Sequence, residues 1–387
     1  MRVITRTVLI LSFVSLFADI ASELLYPVIP VYLQQIGFSV AWIGVLEGVA
    51  NFTAGISKGY FGKLSDEKGL RLPFVKLGYF LSALSKPLLA VFAYPLWIFS
   101  VRALDRLGKG LRTAARDALL SQEATKETKG RVFGFHRGMD TVGATIGPAL
   151  ALLFIFFYPG QYRTIFFLAF IPGLISVALI FLLKEKRQPA STLKKGNFFS
   201  FFNYYTIATP AYRKLVVGLL LFALFNSSDI FLLLQVKKAT GSDNLTIAAY
   251  VFYNLVFALS SYPLGILADR FSFKTVFLSG LVLFAGVYSG FAFNPSTTWI
   301  FVLFLIYGIY AGATEGVAKA WITNTANDQN TATAIGFYTS CESICTLIAS
   351  IVAGGIWTGF GSFYTFLISA IVALASFVYF ALIVRGK

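Results

Sequence analysis

The sequence predicts an all-α membrane protein of twelve transmembrane helices in two pseudo-symmetric six-helix bundles. Three observations carry that prediction. Of 387 residues, 57% are hydrophobic and only 13% charged, where soluble domains run nearer ~25% charged. The apolar residues gather into twelve long runs, each close to the ~20 residues that a helix needs to cross a bilayer. The first six runs repeat the last six at an almost constant offset.

Taken in order, the predicted spans are 7–36, 40–62, 72–93, 96–119, 130–157 and 162–183, then 213–236, 244–268, 273–293, 297–322, 331–357 and 361–384. The first run, from Thr7 to Leu33, is longer than the core of a signal peptide. It also carries Asp19 and Glu23, so it reads as a retained span. The runs are too long for strands and do not alternate polar with apolar residues, which argues against a membrane barrel. Domains are expected at 1–183 and 213–387. The linker 184–212 between them opens with the basic KEKRQPASTLKK and continues with the aromatic FFSFFNYY, a candidate interfacial segment.

The net charge of +15 in a soluble protein would suggest nucleic acid. Here the basic residues collect in alternate loops, as they do on the cytoplasmic side of membrane proteins. Arg2, Arg6, Lys63, Lys68, Arg71, Lys126, Lys129, Arg131, the linker cluster, Arg270, Lys274, Arg385 and Lys387 form one set. Both termini are therefore expected in the cytoplasm, in a bacterial inner membrane. The only cysteines, Cys341 and Cys345, share one apolar run, so no disulfide framework exists.

Four matches relate the halves. GKLSDEKGLR from Gly62 aligns with GILADRFSFK from Gly265 at an offset of 203, and Asn51 falls on Asn254. GFHRGMD from Gly134 aligns with GFYTSCE from Gly336 at an offset of 202, and Gly110 falls on Gly312. The aligned segments place Asp140 opposite Glu342. A duplicated six-helix unit follows, and parallel repeats of this kind are a known transporter plan.

These residues resemble the major facilitator superfamily (MFS) over essentially the whole chain. Gly62, Leu64, Asp66, Gly69 and Arg71 match the loop motif that the family carries after its second span; Glu67 stands where Arg is usual. Gly265, Leu267, Asp269, Arg270 and Lys274 match its second copy, with Ser272 in place of Gly. Arg106 and Gly110 match the fourth-span motif, where Lys109 and Arg112 replace neutral residues. GATIGP, Gly143 to Pro148, resembles part of the fifth-span motif of exporting antiporters. The resemblance implies the MFS fold, alternating access, and a drug/proton antiporter-like activity. It also implies that the Asp66 and Asp269 loops latch the cytoplasmic side, with spans 1, 4, 7 and 10 lining the cavity.

The residues themselves point to transport chemistry. A charge at mid-bilayer costs ~2.5–3.5 kcal/mol on insertion scales, yet this chain buries many. In span 4, Arg102, Asp105, Arg106, Lys109, Arg112 and Arg116 recur at steps of three and four and form one helical stripe. Arg102 and Arg106 are candidates for binding an anionic group, against a static ion-pair network holding spans 4 and 5. Arg112 and Arg116 lie nearer the cytoplasmic end and are candidate gate residues, with Asp66, Arg71, Asp269 and Arg270. Asp140 lies at a depth similar to Arg106, while Arg137 precedes it by three residues; either cation is a candidate partner. A carboxylate that switches between paired and unpaired settings can load and release a proton. Asp140 leads that list, followed by Glu342 and Asp19, with the single histidine, His136, as a lesser candidate.

Asp19 and Glu23 share a face of span 1, and Asp229 in span 7 is a counterpart; all three are candidate solute or ion contacts. No metal cluster, nucleophile–base pair or phosphate loop supports an enzyme. The expected activity is secondary active transport of a small solute, by proton-coupled antiport and export. The alternatives are proton-coupled import of an anionic metabolite and, more distantly, a non-transporting receptor or enzyme. No cofactor, resident metal or nucleic-acid partner is expected. The expected partners are the solute, protons and lipid, and the expected state is a monomer.

Overall fold

The computed structural model of the protein describes residues 3–185, 197–293 and 296–384, and no strand occurs among them. The basic stretch 186–196 of the linker, with Arg2, Arg385 and Lys387, lies outside the described residues. The first half contains α1 (Arg6–Glu23), α2 (Val28–Gln35), α3 (Val40–Lys68), α4 (Leu72–Val91), α5 (Pro95–Gln122), α6 (Lys129–Phe157) and α7 (Tyr162–Ile180). A 3-10 turn, Phe198–Asn203, runs into the short α8 (Tyr204–Ile207). The second half contains α9 (Pro210–Ala223), α10 (Ile230–Thr240), α11 (Asp243–Arg270), α12 (Phe273–Ala292), α13 (Thr297–Thr325), α14 (Thr331–Phe360) and α15 (Ser362–Ile383).

With α1–α2 and α9–α10 each counted as one span, the helices make the expected twelve. Eight are long and apolar enough to cross a membrane by length and composition alone: α4, α6, α7 and α11 to α15. The 28-residue α5 is long enough too, but it carries the charged stripe. Side-chain exposure is inverted relative to a soluble protein. Phe167, Ile171 and Leu174 on α7, and Ile371, Leu374, Val378 and Leu382 on α15, are exposed. Lys86, Arg102, Asp105, Arg112, Arg116, Asp117 and Asp140 are buried. That distribution suits a lipid solvent, in which only polar groups must be hidden.

Spans 1 and 7 are not the continuous helices that the apolar runs suggested. After α1 the amides of Leu25 and Tyr26 turn back onto Ser22 and Glu23, at 3.2 Å each, and Pro27 has no amide to continue the ladder. After α9 the chain reads Asn226-Ser227-Ser228-Asp229. Such side chains compete with the helix for backbone hydrogen bonds, and α10 restarts at Ile230. The two breaks fall at equivalent places in the repeat.

The duplication is visible in the packing. α4 packs on α5 and α7, α3 on α5, and α1 on α7; in the second half α12 packs on α13 and α15, α11 on α13, and α9 on α15. The chain divides into two compact units: Met1–Glu123, Met139–Thr206 and Asn327–Ser340 form one, and Ala124–Gly138, Ile207–Ala326 and Cys341–Lys387 the other. Each unit thus contains the first turns of a helix that belongs to the other half of the sequence, α14 in unit one and α6 in unit two.

Glycine explains how those turns fit. In unit one, a Cβ on Gly336 of α14 would lie 2.5 Å from the carbonyl oxygen of Lys58 on α3. In unit two, a Cβ on Gly134 of α6 would lie 2.5 Å from the carbonyl oxygen of Ser261 on α11. Both pairs obey the sequence offsets, so one backbone-to-backbone crossing occurs twice. Ser340 strengthens the first crossing by donating to Gly55 O at 2.7 Å and accepting from Gly59 N at 2.9 Å.

Candidate functional site

The charged stripe of α5 faces the interior of unit one, and its charges divide into two groups. One is a closed ion cluster. Asp105 accepts from Lys86 Nζ at 2.9 Å and from Ser82 Oγ at 2.6 Å, with Arg102 Nη1 at 3.6 Å. All three charged side chains are at most 7% exposed. Lys86 also donates to Ser22 on α1 at 3.2 Å. Arg102 is therefore held against Asp105. Removing one member of a buried ion cluster strands the others. Asp105→Leu is expected to cost ~3–5 kcal/mol of stability, measurable as a fall in Tm of the purified protein; an unchanged Tm would show the cluster to be hydrated.

The other group joins α1, α5 and α6. Ser15 Oγ donates to Asp140 Oδ1 at 2.5 Å, and Arg116 Nη1 donates to Ser15 Oγ at 3.0 Å. Arg116 also pairs with Asp117 at 2.8 Å. The Asp19 carboxyl lies in hydrogen-bonding reach of Asp140, with Glu23 nearby. Lys109 lies near both Asp19 and Glu23, and Arg106 near Glu23. The carboxyl groups of Asp19, Glu23 and Asp140, the cations Arg106, Lys109 and Arg116 and the Ser15 hydroxyl thus gather between α1, α5 and α6.

The close approach depends on glycine. A Cβ on Gly143 would lie 3.0 Å from Asp19 Cβ and 2.5 Å from Leu16 O, and one on Gly147 would lie 2.9 Å from Glu23 Cβ. The GATIGP segment therefore seats α6 directly under the α1 carboxylates. Gly143→Val is expected to part Asp19 from Asp140 and to destabilise the fold by ~1–3 kcal/mol through overpacking. Melting and flux assays on the variant check this, and normal values in both would remove the close contact.

Arg112 stacks on Tyr79, 4.3 Å from the ring centroid. It lines a cavity of about 10 Å³ with Tyr79, Ser82, Lys86 and Ser176, room for a single water. Arg112 and Arg116 thus sit within the polar interior of unit one.

Unit two has a different character. Tyr307 donates to Asp229 Oδ1 at 2.6 Å, Tyr253 is a second hydroxyl partner, and Asn226 Nδ2 donates to Tyr310 at 3.2 Å. Asp229 stands at the head of α10, beside the break in span 7, within an aromatic cluster in which Tyr253 and Tyr307 lie 4.9 Å apart. Arg137 pairs with Glu315, and its guanidinium lies 5.1 Å from the centre of the Phe257 ring. His136 is buried in the same unit, and Glu342 lies on the part of α14 that belongs to it.

The two loop motifs end in matching hydrogen bonds. In unit one, Asp66 Oδ2 accepts from the Thr333 amide at 2.7 Å and from its hydroxyl at 2.9 Å. Its Oδ1 accepts from Arg71 Nη2 at 2.9 Å. In unit two, Asp269 Oδ1 accepts from the Gly130 amide at 2.7 Å. Its Oδ2 accepts from the Arg131 amide at 2.9 Å and from Arg131 Nε at 3.1 Å. Each aspartate satisfies amides that the first turn of a helix leaves open. Arg270 does not face Asp269: it is exposed, 5.8 Å from the centre of the Phe271 ring. Arg131 takes that place.

Sequence reasoning missed several of these residues. Ser15, Tyr307 and Tyr253 carry no signal in a single sequence, because hydroxyl residues are common in membrane helices. Arg131 was visible only as one of many loop cations. Glu185, inside a linker read as basic, caps α4 by accepting from the amides of Arg71 at 2.9 Å and Leu72 at 2.7 Å. Among the described residues no group of three or more His, Cys, Asp or Glu is placed to hold a metal ion.

Comparison with known proteins agrees with this architecture. The profile described as Major Facilitator Superfamily matches residues 11–253 and 215–387. An uncharacterised MFS-type transporter of Methanocaldococcus jannaschii is 31% identical over 97% of this chain and 94% of its own length. A multi-drug resistance efflux pump PmrA homologue of Lactococcus lactis is 22% identical over 88% of this chain and 85% of its own length. The crystal structure of a human organic anion transporter superposes with a TM-score of 0.83 at 14% identity, covering 97% of this chain and 99% of that one. With its duplicated six-helix plan, its paired aspartate latches and these matches across nearly its whole length, the chain belongs to the Major Facilitator Superfamily, a family of membrane transporters.

Proposed function

We propose that this transporter is a proton-coupled antiporter that exports a small organic solute from the cytoplasm. The observation that carries the reading is the carboxyl pair Asp19–Asp140. Two carboxylates this close repel when both are ionised, and a proton shared between them relieves that repulsion. Lys109 and Arg106 stand ready to neutralise the carboxylates once that proton leaves. A site that exchanges a proton for a nearby cation is what coupling needs. The solute contacts in unit one are Asp19, Glu23 and Arg106, with Arg102 positioned through Asp105; Asp229 is a separate candidate contact within its own tyrosine cluster. The two breaks support this, since discontinuous helices free polar groups for ligands at mid-membrane. Glu342 and His136 are secondary candidates for the proton path. The name of the Lactococcus relative supports export.

In this reading the protein lies in the cytoplasmic membrane as a monomer, with both termini inside. The proposed domain plan is two bundles, 1–183 and 213–387, joined by a cytoplasmic linker. The Asp66–Thr333 contact, braced by Arg71, and the Asp269–Arg131 contact are then the cytoplasmic gate, which opens as they part. Arg112 and Arg116 brace the helices behind it, and Arg270 stays on the surface.

A second reading, proton-coupled import of an anionic metabolite, is favoured by one observation. Lys86, Arg102, Arg112 and Arg116 are buried in unit one, with Arg106 and Lys109 half-buried on the same stripe. Proteoliposomes under an imposed pH gradient separate the two readings, with ethidium and carboxyfluorescein as cationic and anionic probes. Proton-driven counter-movement of a probe supports antiport. Movement of carboxyfluorescein together with protons supports the alternative, and pH-independent movement of either probe sinks both.

A further inference from the structure

The two aspartate latches are built on the same crossing, yet they differ at one position. At the crossing of α11 with α6, Tyr262 covers the junction and packs edge-on against Phe135, with centroids 5.8 Å apart at 79°. The repeat places Gly59 opposite Tyr262 and Phe337 opposite Phe135. The first latch therefore lacks the aromatic side chain that closes the second.

The linker supplies it. Phe201, fully buried, fills the notch above Gly59, where a Cβ would overlap its ring. Phe202 stacks on Phe201 with centroids 4.3 Å apart and meets Phe337 edge-on at 6.1 Å and 84°. That repeats the geometry of Tyr262 on Phe135. Tyr205 stacks on the same Phe337 at 5.9 Å, and Phe198 meets Tyr60 at a tilt, with centroids 4.7 Å apart. A polar chain adds to the hold. Glu67, which stands where the family motif has Arg, pairs with Lys63 at 3.2 Å, and Lys63 Nζ donates to Ser200 Oγ at 2.6 Å. An arginine at position 67 would repel Lys63 instead.

We infer that the segment Phe198–Tyr205 is a strap that serves as a detachable side chain for Gly59, making the Asp66 latch conditional on the linker while the Asp269 latch is self-sufficient. Docked, the strap excludes water from the crossing and keeps the Thr333 amide on Asp66. Undocked, it leaves a glycine-lined notch beside a buried carboxylate, and the latch loosens. The other end of the linker is tied to the same latch, since Glu185 caps the turn that carries Arg71. Anything that moves the linker therefore acts on one latch and spares the other. The antiport reading is not needed for this inference, because its test measures local opening rather than transport.

The test is amide hydrogen exchange of the full chain in lipid nanodiscs, comparing residues 331–337 with their counterparts 129–135. Phe201→Ala is expected to raise exchange in 331–337 by about tenfold or more and to leave 129–135 unchanged. Tyr262→Ala should do the reverse. Phe201→Leu, which keeps apolar volume without the ring stack, should give a smaller rise and guards against a variant that fails to fold. Adding Gly59→Tyr to Phe201→Ala should restore protection, because the side chain is then built into the helix. Unchanged exchange in 331–337 for both Phe201 variants, or equal rises in both windows, would overturn the strap. So would a double variant that stays as exchangeable as Phe201→Ala alone.

Discussion

Asp140→Asn is expected to uncouple transport from the pH gradient while leaving the protein folded and inserted. Asparagine keeps an oxygen to accept the Ser15 hydroxyl, and its amide N–H donates to Asp19 in place of the shared proton. The geometry survives, but nothing at position 140 can be released. One pH unit is worth ~1.4 kcal/mol, which sets about a tenfold solute gradient for a one-proton exchanger. That gradient should collapse to about unity, whereas solute exchange at equal pH should persist. Proteoliposomes with and without a pH step measure both quantities. A variant that still builds a gradient would remove Asp140 from the proton path. A variant that loses exchange as well would assign it to solute binding.

The second large effect is expected at Asp66. Asp66→Ala deletes three acceptor contacts at once and leaves Arg71, only 3% exposed, without its carboxylate. Breaking a buried pair in this way costs ~3–5 kcal/mol. The matching change, Asp269→Ala, should cost less, ~1–3 kcal/mol. Its partner Arg131 is 34% exposed and keeps its hydration. Thermal melting of the two variants in the same detergent gives the comparison. Equal losses would mean that the burial of Arg71 has no energetic weight. If the latches form the gate, Asp66→Ala should also favour the inward-facing state, seen as faster labelling of introduced cysteines from the cytoplasmic side.

Much of this protein is legible in its sequence because the strongest forces on a membrane chain are local ones. Twelve apolar runs must be helices, since every backbone group in lipid needs a partner within its own segment. The repeat offsets of 202 and 203 correctly paired Asp66 with Asp269 and aligned Gly134 with Gly336. The stripe on α5 had to face inward, whatever its partners, because six charges cannot face acyl chains.

Partner choice was the part that helical period alone could not supply. Helical spacing pairs Asp19 with Glu23, its neighbour four residues on; the fold adds Asp140, because Gly143 and Gly147 let two backbones nearly touch. The three-residue spacing allows Arg137 as a partner for Asp140; in the fold Arg137 meets Glu315 and Asp140 accepts from Ser15. Arg270 sits beside Asp269 in sequence, yet a helix points neighbouring side chains apart, and Arg131 fills the place. The breaks in spans 1 and 7 were hidden because hydropathy averages over a turn and does not register where the amide ladder lapses. Helix number, burial and duplication thus follow from solvent and period, which act along the chain. Which carboxylate meets which cation, and which aromatic ring closes a glycine notch, follow from close packing between segments far apart in sequence, and only the tertiary structure decides that.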